Sequence, residues 1–226
     1  MKLAALVSGG KDSSFALFLA LEEGHEVTDL VTIIPKNENS YMFHSANIHI
    51  TGLISDACGI PLTSVVSSGE KETELHDLKT ALSLVKVDGV VVGAIESEYQ
   101  ASRVRRICDE LDLMMYAPLW HKEPESLLRE MVDCMDNCMD IRMVKVAAAG
   151  LDESWLGRRF DGKLVEDLKI LHRKYRIHIM GEGGEYETLV LDAPYYKKRI
   201  NLIETRNCWM GDHGMMKVIR AELGEK

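Results

Sequence analysis

No apolar run in this 226-residue chain approaches the roughly 20 residues that cross a bilayer, so a spanning helix is not expected. The N-terminus enters the strand-like run Leu3-Ala4-Ala5-Leu6-Val7 at once, without a signal-peptide pattern, and a cytoplasmic setting without membrane partners is the expectation. A C-x-x-C pair is also missing. The five cysteines (Cys58, Cys108, Cys134, Cys138, Cys208) form an odd, scattered set, which speaks against a disulfide framework or a structural zinc site. Cys134 and Cys138 stand four apart on a predicted helix, but two further ligands are not at hand. Basic charge is in deficit: 27 Lys and Arg against 36 Asp and Glu leave a formal charge of −9, which argues against broad nucleic-acid binding. The clusters Arg103, Arg105, Arg106 and Lys197, Lys198, Arg199 read more readily as solvated faces. No internal repeat or low-complexity segment occurs, and no nucleophile-elbow pattern points to a built-in glutaminase.

What is present is an ordinary globular composition, 46% apolar and 28% charged, long enough for one large or two small domains. Near its start Ser8-Gly9-Gly10-Lys11-Asp12-Ser13-Ser14 separates the first apolar run from an apolar-periodic stretch, Phe15 to Leu21. That order predicts strand, glycine turn, helix. Adjacent glycines let backbone approach a ligand, and a helix start offers N–H groups and the positive dipole end, so such a turn suits phosphate. A plain glycine turn with a serine cap is the structural alternative. The Walker A pattern fails because Asp12 stands where Ser or Thr should follow Lys11, and G-x-G-x-x-G fails too.

Strand and helix signals then alternate. Strands are predicted at Val27–Ile34, Pro61–Val66, Gly89–Val92 and Met114–Ala117, with helices at about 45–58, 70–85 and 98–111, the last with Ser97 as N-cap. This alternation predicts a parallel, doubly wound α/β sheet of Rossmann type. Loops at the strands' carboxyl ends are where such folds bind ligands. There His44 and Gly93 are candidate nucleotide contacts, while Tyr99, Gln100 and Arg103 share a helix face as candidate substrate contacts, with a solvated surface as the alternative. After Pro118-Leu119-Trp120 the pattern changes: helices at Glu123–Met139 and Asp161–Tyr175 are mixed with strands at Ile141–Ala149, Tyr186–Leu191, Arg199–Glu204 and Met215–Leu223. A smaller α+β domain over 121–226 is expected behind a nucleotide-binding domain over 1–120.

Gly181-Glu182-Gly183-Gly184-Glu185-Tyr186-Glu187 packs three glycines and three carboxylates into seven residues. Close carboxylates repel unless a cation, donors or solvent offset them, so Glu182 or Glu185 suits a metal, a cationic substrate group or a proton from an amine. An exposed hairpin loop is the bland alternative.

The S-G-G-K-D-S order resembles the pyrophosphate loop of N-type ATP pyrophosphatases, with their adenine nucleotide α-hydrolase-like fold. Residues 181–194 resemble the signature of the diphthine–ammonia ligase family within that superfamily. The likeness extends to Tyr41-Met42-Phe43-His44, Gly93-Ala94-Ile95, Pro118-Leu119-Trp120, Lys145–Leu151 and Leu156-Gly157-Arg158, and the compact length looks like the archaeal form. The resemblance implies ATP and Mg²⁺ as cofactors, elongation factor 2 as protein substrate and ammonium as nitrogen source. The reaction it implies is amidation of diphthine through an acyl-adenylate, releasing AMP and pyrophosphate. By resemblance Ser8, Gly9, Gly10, Lys11, Asp12, Ser13 and Ser14 hold pyrophosphate, Asp12 places the metal, and Lys11, Asp12, Glu182 and Glu185 are catalytic. Gly183, Gly184, Glu185, Tyr186 and Glu187 are then expected on the substrate, with Glu182, Glu185 and Tyr186 around its trimethylammonium. Another pyrophosphate-loop enzyme acting on a different acceptor and a non-catalytic adenine-nucleotide sensor remain open alternatives. Oligomeric state is not written in the sequence, a homodimer being one option.

Overall fold

A computed structural model describes residues 1–36, 46–68 and 71–226, excepting the side chains of 71, 72 and 134–138. The chain divides into two compact units, Met1–Trp120 and His121–Lys226.

The first unit is a parallel sheet of five strands: β1 (Lys2–Leu6), β2 (Glu26–Pro35), β3 (Leu62–Ser67), β4 (Gly89–Val91) and β5 (Met114–Tyr116). Their order is β3-β2-β1-β4-β5, with Leu3 beside Val27 on one side and Gly89 on the other. Helices α1 (Lys11–Glu22), α2 (Thr51–Cys58), α3 (Lys71–Ser83) and α4 (Glu98–Glu110) connect them. The central strand is apolar on both faces, Leu3, Ala4 and Ala5 all being buried, as expected of a parallel strand covered by helices. The helix predicted over 45–58 begins instead with a 3₁₀ turn, Ile48–Ile50, which runs into α2 and ends at Gly59 in the left-handed conformation.

The strand order reverses between β1 and β4. In parallel sheets such a switch point opens a crevice at the carboxyl ends of the two strands. Here those ends carry the Ser8–Ser14 turn and Gly93.

The second unit is an antiparallel sheet in the order β7-β6-β9-β8, from β6 (Asp140–Val146), β7 (Tyr186–Asp192), β8 (Arg199–Trp209) and β9 (Gly214–Gly224). It is accompanied by α5 (Pro124–Cys138) and α6 (Gly162–Tyr175). Asp161 caps α6 by accepting the Leu164 N–H at 2.9 Å, and Arg176 ends it in the left-handed conformation. Strand β8 runs five residues past the predicted end at Glu204, because pairing with β9 carries the polar Thr205-Arg206-Asn207 through the ladder. No helix among the described residues is long and apolar enough to cross a membrane.

Candidate active site

The turn after β1 is shaped by Gly9, whose φ of +86° is closed to most side chains, and by Gly10, extended at the N-cap of α1. Among the described residues no side chain caps this helix start. Its first-turn N–H groups and dipole end therefore face the switch-point crevice. Within the turn the Ser8 N–H donates to Ser13 Oγ at 3.4 Å, the Gly10 N–H to Ser8 Oγ at 3.4 Å, and Ser13 Oγ to the Gly10 carbonyl at 3.2 Å. These are long bonds, at the weak end of the range. Lys11 is 2% exposed, and its Nζ donates to both carboxylate oxygens of Asp12 at 2.9 Å. A buried ammonium beside a part-exposed carboxylate gives the turn one cation and one anion close together. Ser14 is buried behind them.

Gly93 belongs to the same place. A Cβ on it would sit 2.7 Å from the Asp12 carbonyl carbon and the Ser13 nitrogen. The missing side chain thus lets the end of β4 lie against the turn backbone; in this structure Gly93 is a packing contact for the turn. Beyond it α4 starts at its Ser97 cap, which accepts the Gln100 N–H. The Arg103 guanidinium stacks 3.5 Å from the Tyr99 ring centroid and donates to the Tyr99 carbonyl at 3.3 Å. Tyr99 and Arg103 therefore form a unit, with Gln100 half-buried beside them on the first turn. His44 lies outside the described residues, as do the side chains of Cys134 and Cys138.

In the second unit Gly181 and Gly184 take φ values of +79° and +83° and close a turn in which the Gly184 N–H donates to the Gly181 carbonyl at 3.0 Å. Gly183 makes room for a neighbour: a Cβ there would meet Glu185 Oε1 at 2.8 Å and Oε2 at 3.0 Å. Glu185 Oε1 accepts the His178 N–H at 2.7 Å, whereas Oε2 is buried and makes no hydrogen bond among the described residues. Glu182 is half-buried on the same turn, and Gly183 and Gly184 are exposed. Tyr186, expected to offer an aromatic face to the substrate, is 3% exposed, packs its ring on Phe160 and donates its hydroxyl to the Ile179 carbonyl at 2.8 Å. What it does here is hold the turn from beneath. Glu187 accepts from Lys145 Nζ at 2.7 Å across β6 and β7 and is nearly buried.

Two features escaped the sequence analysis. Lys145, the partner of Glu187, was quoted there only as part of a motif. Glu74, in the first turn of α3 after β3, has no exposed surface although its neighbours Lys71-Glu72-Thr73 read as an ordinary polar helix start. No alternation or motif in that stretch marks a buried carboxylate.

Among the described residues no three His, Cys, Asp or Glu side chains cluster as a metal cage. Magnesium seldom needs one, since it is held by one or two carboxylates with substrate phosphates and water completing its shell. Asp12, a part-exposed carboxylate on the glycine turn, fits that donor set.

Residues 1–115 match the diphthamide synthase N-terminal domain family and residues 123–223 the diphthamide synthase C-terminal domain family. The chain is 38% identical over 223 residues to the diphthine–ammonia ligases of Rattus norvegicus and Homo sapiens, covering 88% of this chain and 82% of each of those proteins. It is 33% identical over 249 residues to the diphthine–ammonia ligase of Saccharomyces cerevisiae, covering 94% of this chain and 36% of that protein. The match takes in about four fifths of each mammalian relative, 82% of its length, so a compact length does not by itself separate archaeal from eukaryotic forms. A solved structure described as a predicted subunit of tRNA methyltransferase, from Methanocaldococcus jannaschii, aligns with a TM-score of 0.41 at 14% identity, over 77% of this chain and 88% of that one.

Proposed function

The chain belongs to the diphthamide synthase family, and on that premise we propose that it is an ATP-dependent C–N ligase that converts diphthine to diphthamide. The observation that carries the reading is the match of both halves of the chain to the two domains of one family, joined to identity above one third with ligases of that name. Elongation factor 2 as acceptor protein, ammonium as nitrogen source, magnesium beside ATP and a cytoplasmic setting are parts of the same proposal. So is a homodimer as its working form.

The chemistry asks for two things. A carboxylate is a poor acyl donor, so its oxygen attacks the α-phosphorus of ATP and pyrophosphate leaves; ammonia then adds to the acyl carbon, AMP departs and one proton is lost. Charge develops on pyrophosphate as the first bond breaks. The Gly9–Gly10 turn, the uncapped start of α1 and Lys11 Nζ supply donors for that charge, and the weak Ser8 and Ser13 bonds within the turn cost little to exchange for phosphate oxygens. Asp12 would hold magnesium, which would supply positive charge toward the leaving group. Departure of Lys11 from Asp12 toward phosphate frees the carboxylate for that task.

Glu185 takes the second. Its partnerless, buried Oε2 is satisfied by a cation, either the trimethylammonium of diphthine or an incoming ammonium that donates to it. With the Tyr186 ring buried, the cationic group is assigned to Glu182 and Glu185 alone.

The experiment is release of AMP and pyrophosphate from ATP and ammonium, with and without diphthine-bearing elongation factor 2, alongside mass spectrometry of the factor. Factor-dependent release, with the factor's mass falling by the difference between a hydroxyl and an amino group, is expected. Nucleotide turnover without that mass change would move the search to another acceptor.

A further inference from the structure

The second unit holds a cavity of about 320 Å³ away from the glycine turn. It opens because β9 pairs with β6 only at Met215 and Gly214, leaving Asp140 and Arg142 on β6 separated from the β8–β9 ribbon. The chain from Gly157 to Phe160 takes up that same edge of β6, its Phe160 N–H donating to the Ile141 carbonyl, and Gly157 lines the cavity. Its lining is mixed and mostly polar: Leu191, Ile200, Leu202 and Met216 give an apolar part, and Asp140, Arg142, Arg199, Asn201 and Thr205 the polar part.

Charge in this cavity does not balance. Asp140 is gripped by Arg142 through Nε at 2.8 Å and Nη2 at 3.1 Å, and Arg142 also donates to the Gly157 carbonyl at 3.4 Å. Arg199 reaches the same carboxylate only at 3.5 Å, and its Nε is buried without a hydrogen bond among the described residues. Asp192, beside Asp140 in the ladder, is already paired with Lys226 at 2.9 Å. Two guanidinium groups therefore share one carboxylate, and one guanidinium N–H stands buried and unmet. Buried donors are nearly always met, and a guanidinium is met best by an oxyanion. The volume lies at the small end of ligand pockets, and the lining is more polar than is usual for them, which suits a charged ligand with a small apolar body.

We propose that this cavity is a binding site for a small organic oxyanion, a carboxylate or phosphate on an apolar body, with the half-exposed Arg199 guanidinium, only loosely held by Asp140, as its anchoring cation. The site is separate from the amidation chemistry and does not rest on it.

The test uses the full chain and two probes that share one apolar body, benzoate and phenyl phosphate. Side-chain ¹H–¹⁵N correlation spectra follow the Arg199 Nε–H, assigned by its loss in Arg199→Gln. A saturable shift of that resonance is expected with at least one probe, and which probe succeeds identifies the oxyanion. Calorimetry is expected to give an affinity at least about tenfold weaker in Arg199→Gln, as loss of a charge-assisted bond implies, and an unchanged one in Lys11→Ala, which separates this site from the phosphate turn. Ile203→Trp, a larger side chain at an exposed strand position in the cavity lining, is expected to abolish calorimetric binding of the same probe, a readout that stands even if Arg199→Gln does not fold. An Arg199 resonance that neither probe moves, or binding indifferent to both variants, overturns the proposal.

Discussion

Lys11 is the residue on which the proposed phosphate role of the turn rests, since a buried ammonium must find an anion and Asp12 is its partner in this structure. Replacing it by Ala removes one donor from a developing charge and is expected to lower pyrophosphate release by on the order of 10²–10³-fold, with ATP-dependent turnover as the readout. In the glycine turn, Glu185→Gln keeps an acceptor for the His178 N–H but deletes the charge behind Oε2. Amide formation is expected to fall while the melting temperature holds. Tyr186→Phe separates structure from chemistry: it strands the Ile179 carbonyl and is expected to cost about 1 kcal/mol in urea unfolding, the net worth of one hydrogen bond. Both carboxylates and the tyrosine were legible as a group in the sequence, but their division of labour was not read there. It follows from strand periodicity at the start of β7, where Tyr186 and Thr188 turn inward and Glu187 between them turns the other way, before the strand becomes buried on both faces from Leu189. Burial also explains a thiol. Removal from water, with the Asp109 charge adding to it, pushes Cys108 up to about 11. It stays a protonated thiol at pH about 8 and is expected to alkylate far more slowly than the part-exposed Cys208, as mass mapping would record.

At the scale of elements, the switch point is made by two strand ends touching. Gly93→Ala places a methyl 2.7 Å from backbone atoms of Asp12 and Ser13, which cannot swing aside as a flexible side chain would. Overpacking of this kind costs typically about 1–3 kcal/mol. The variant is expected to melt several degrees lower and to release less pyrophosphate, both defects arising from a displaced turn; a variant with native melting and lost turnover would point instead to direct contact between Gly93 and nucleotide. The element order of the first unit was legible because each strand is short, apolar and bounded by glycine or proline, while each helix carries its own period. The length of β8 was not. Thr205, Arg206 and Asn207 have no apolar alternation, and only their ladder with β9 makes them strand, a contact made at long range. The strand order β3-β2-β1-β4-β5 is likewise a product of packing, since alternation alone allows several orders.

For the molecule as a whole, net charge −9 means that many carboxylates repel one another in solution, and the fold answers locally. Glu123, just before α5, accepts the N–H groups of Glu125 and Ser126, and these bonds hold its carboxyl below the usual range. Glu125 is lowered by Lys169, Glu110 by Lys79 and Arg106, Asp152 by Ser154 and Asp212 by His213. In each case the folded group binds its proton less readily than the unfolded one. Its contribution is therefore complete above the ordinary carboxylate value and drains away as pH falls through the lowered one. Lys169, raised by Glu166 and then Glu125, has the opposite sign and contributes fully until pH climbs past the ordinary lysine value. Stability is thus expected to be flat across neutral pH and to decline below about pH 4.5. All of these groups are at the surface, where salt screens within about 10 Å at 0.1 M and about 3 Å at 1 M. Thermal unfolding between about pH 5 and 3 is expected to show a steep loss at low salt and a shallower one at about 1 M salt. Equal slopes at the two salt concentrations would shift the origin of acid sensitivity away from these surface carboxylates.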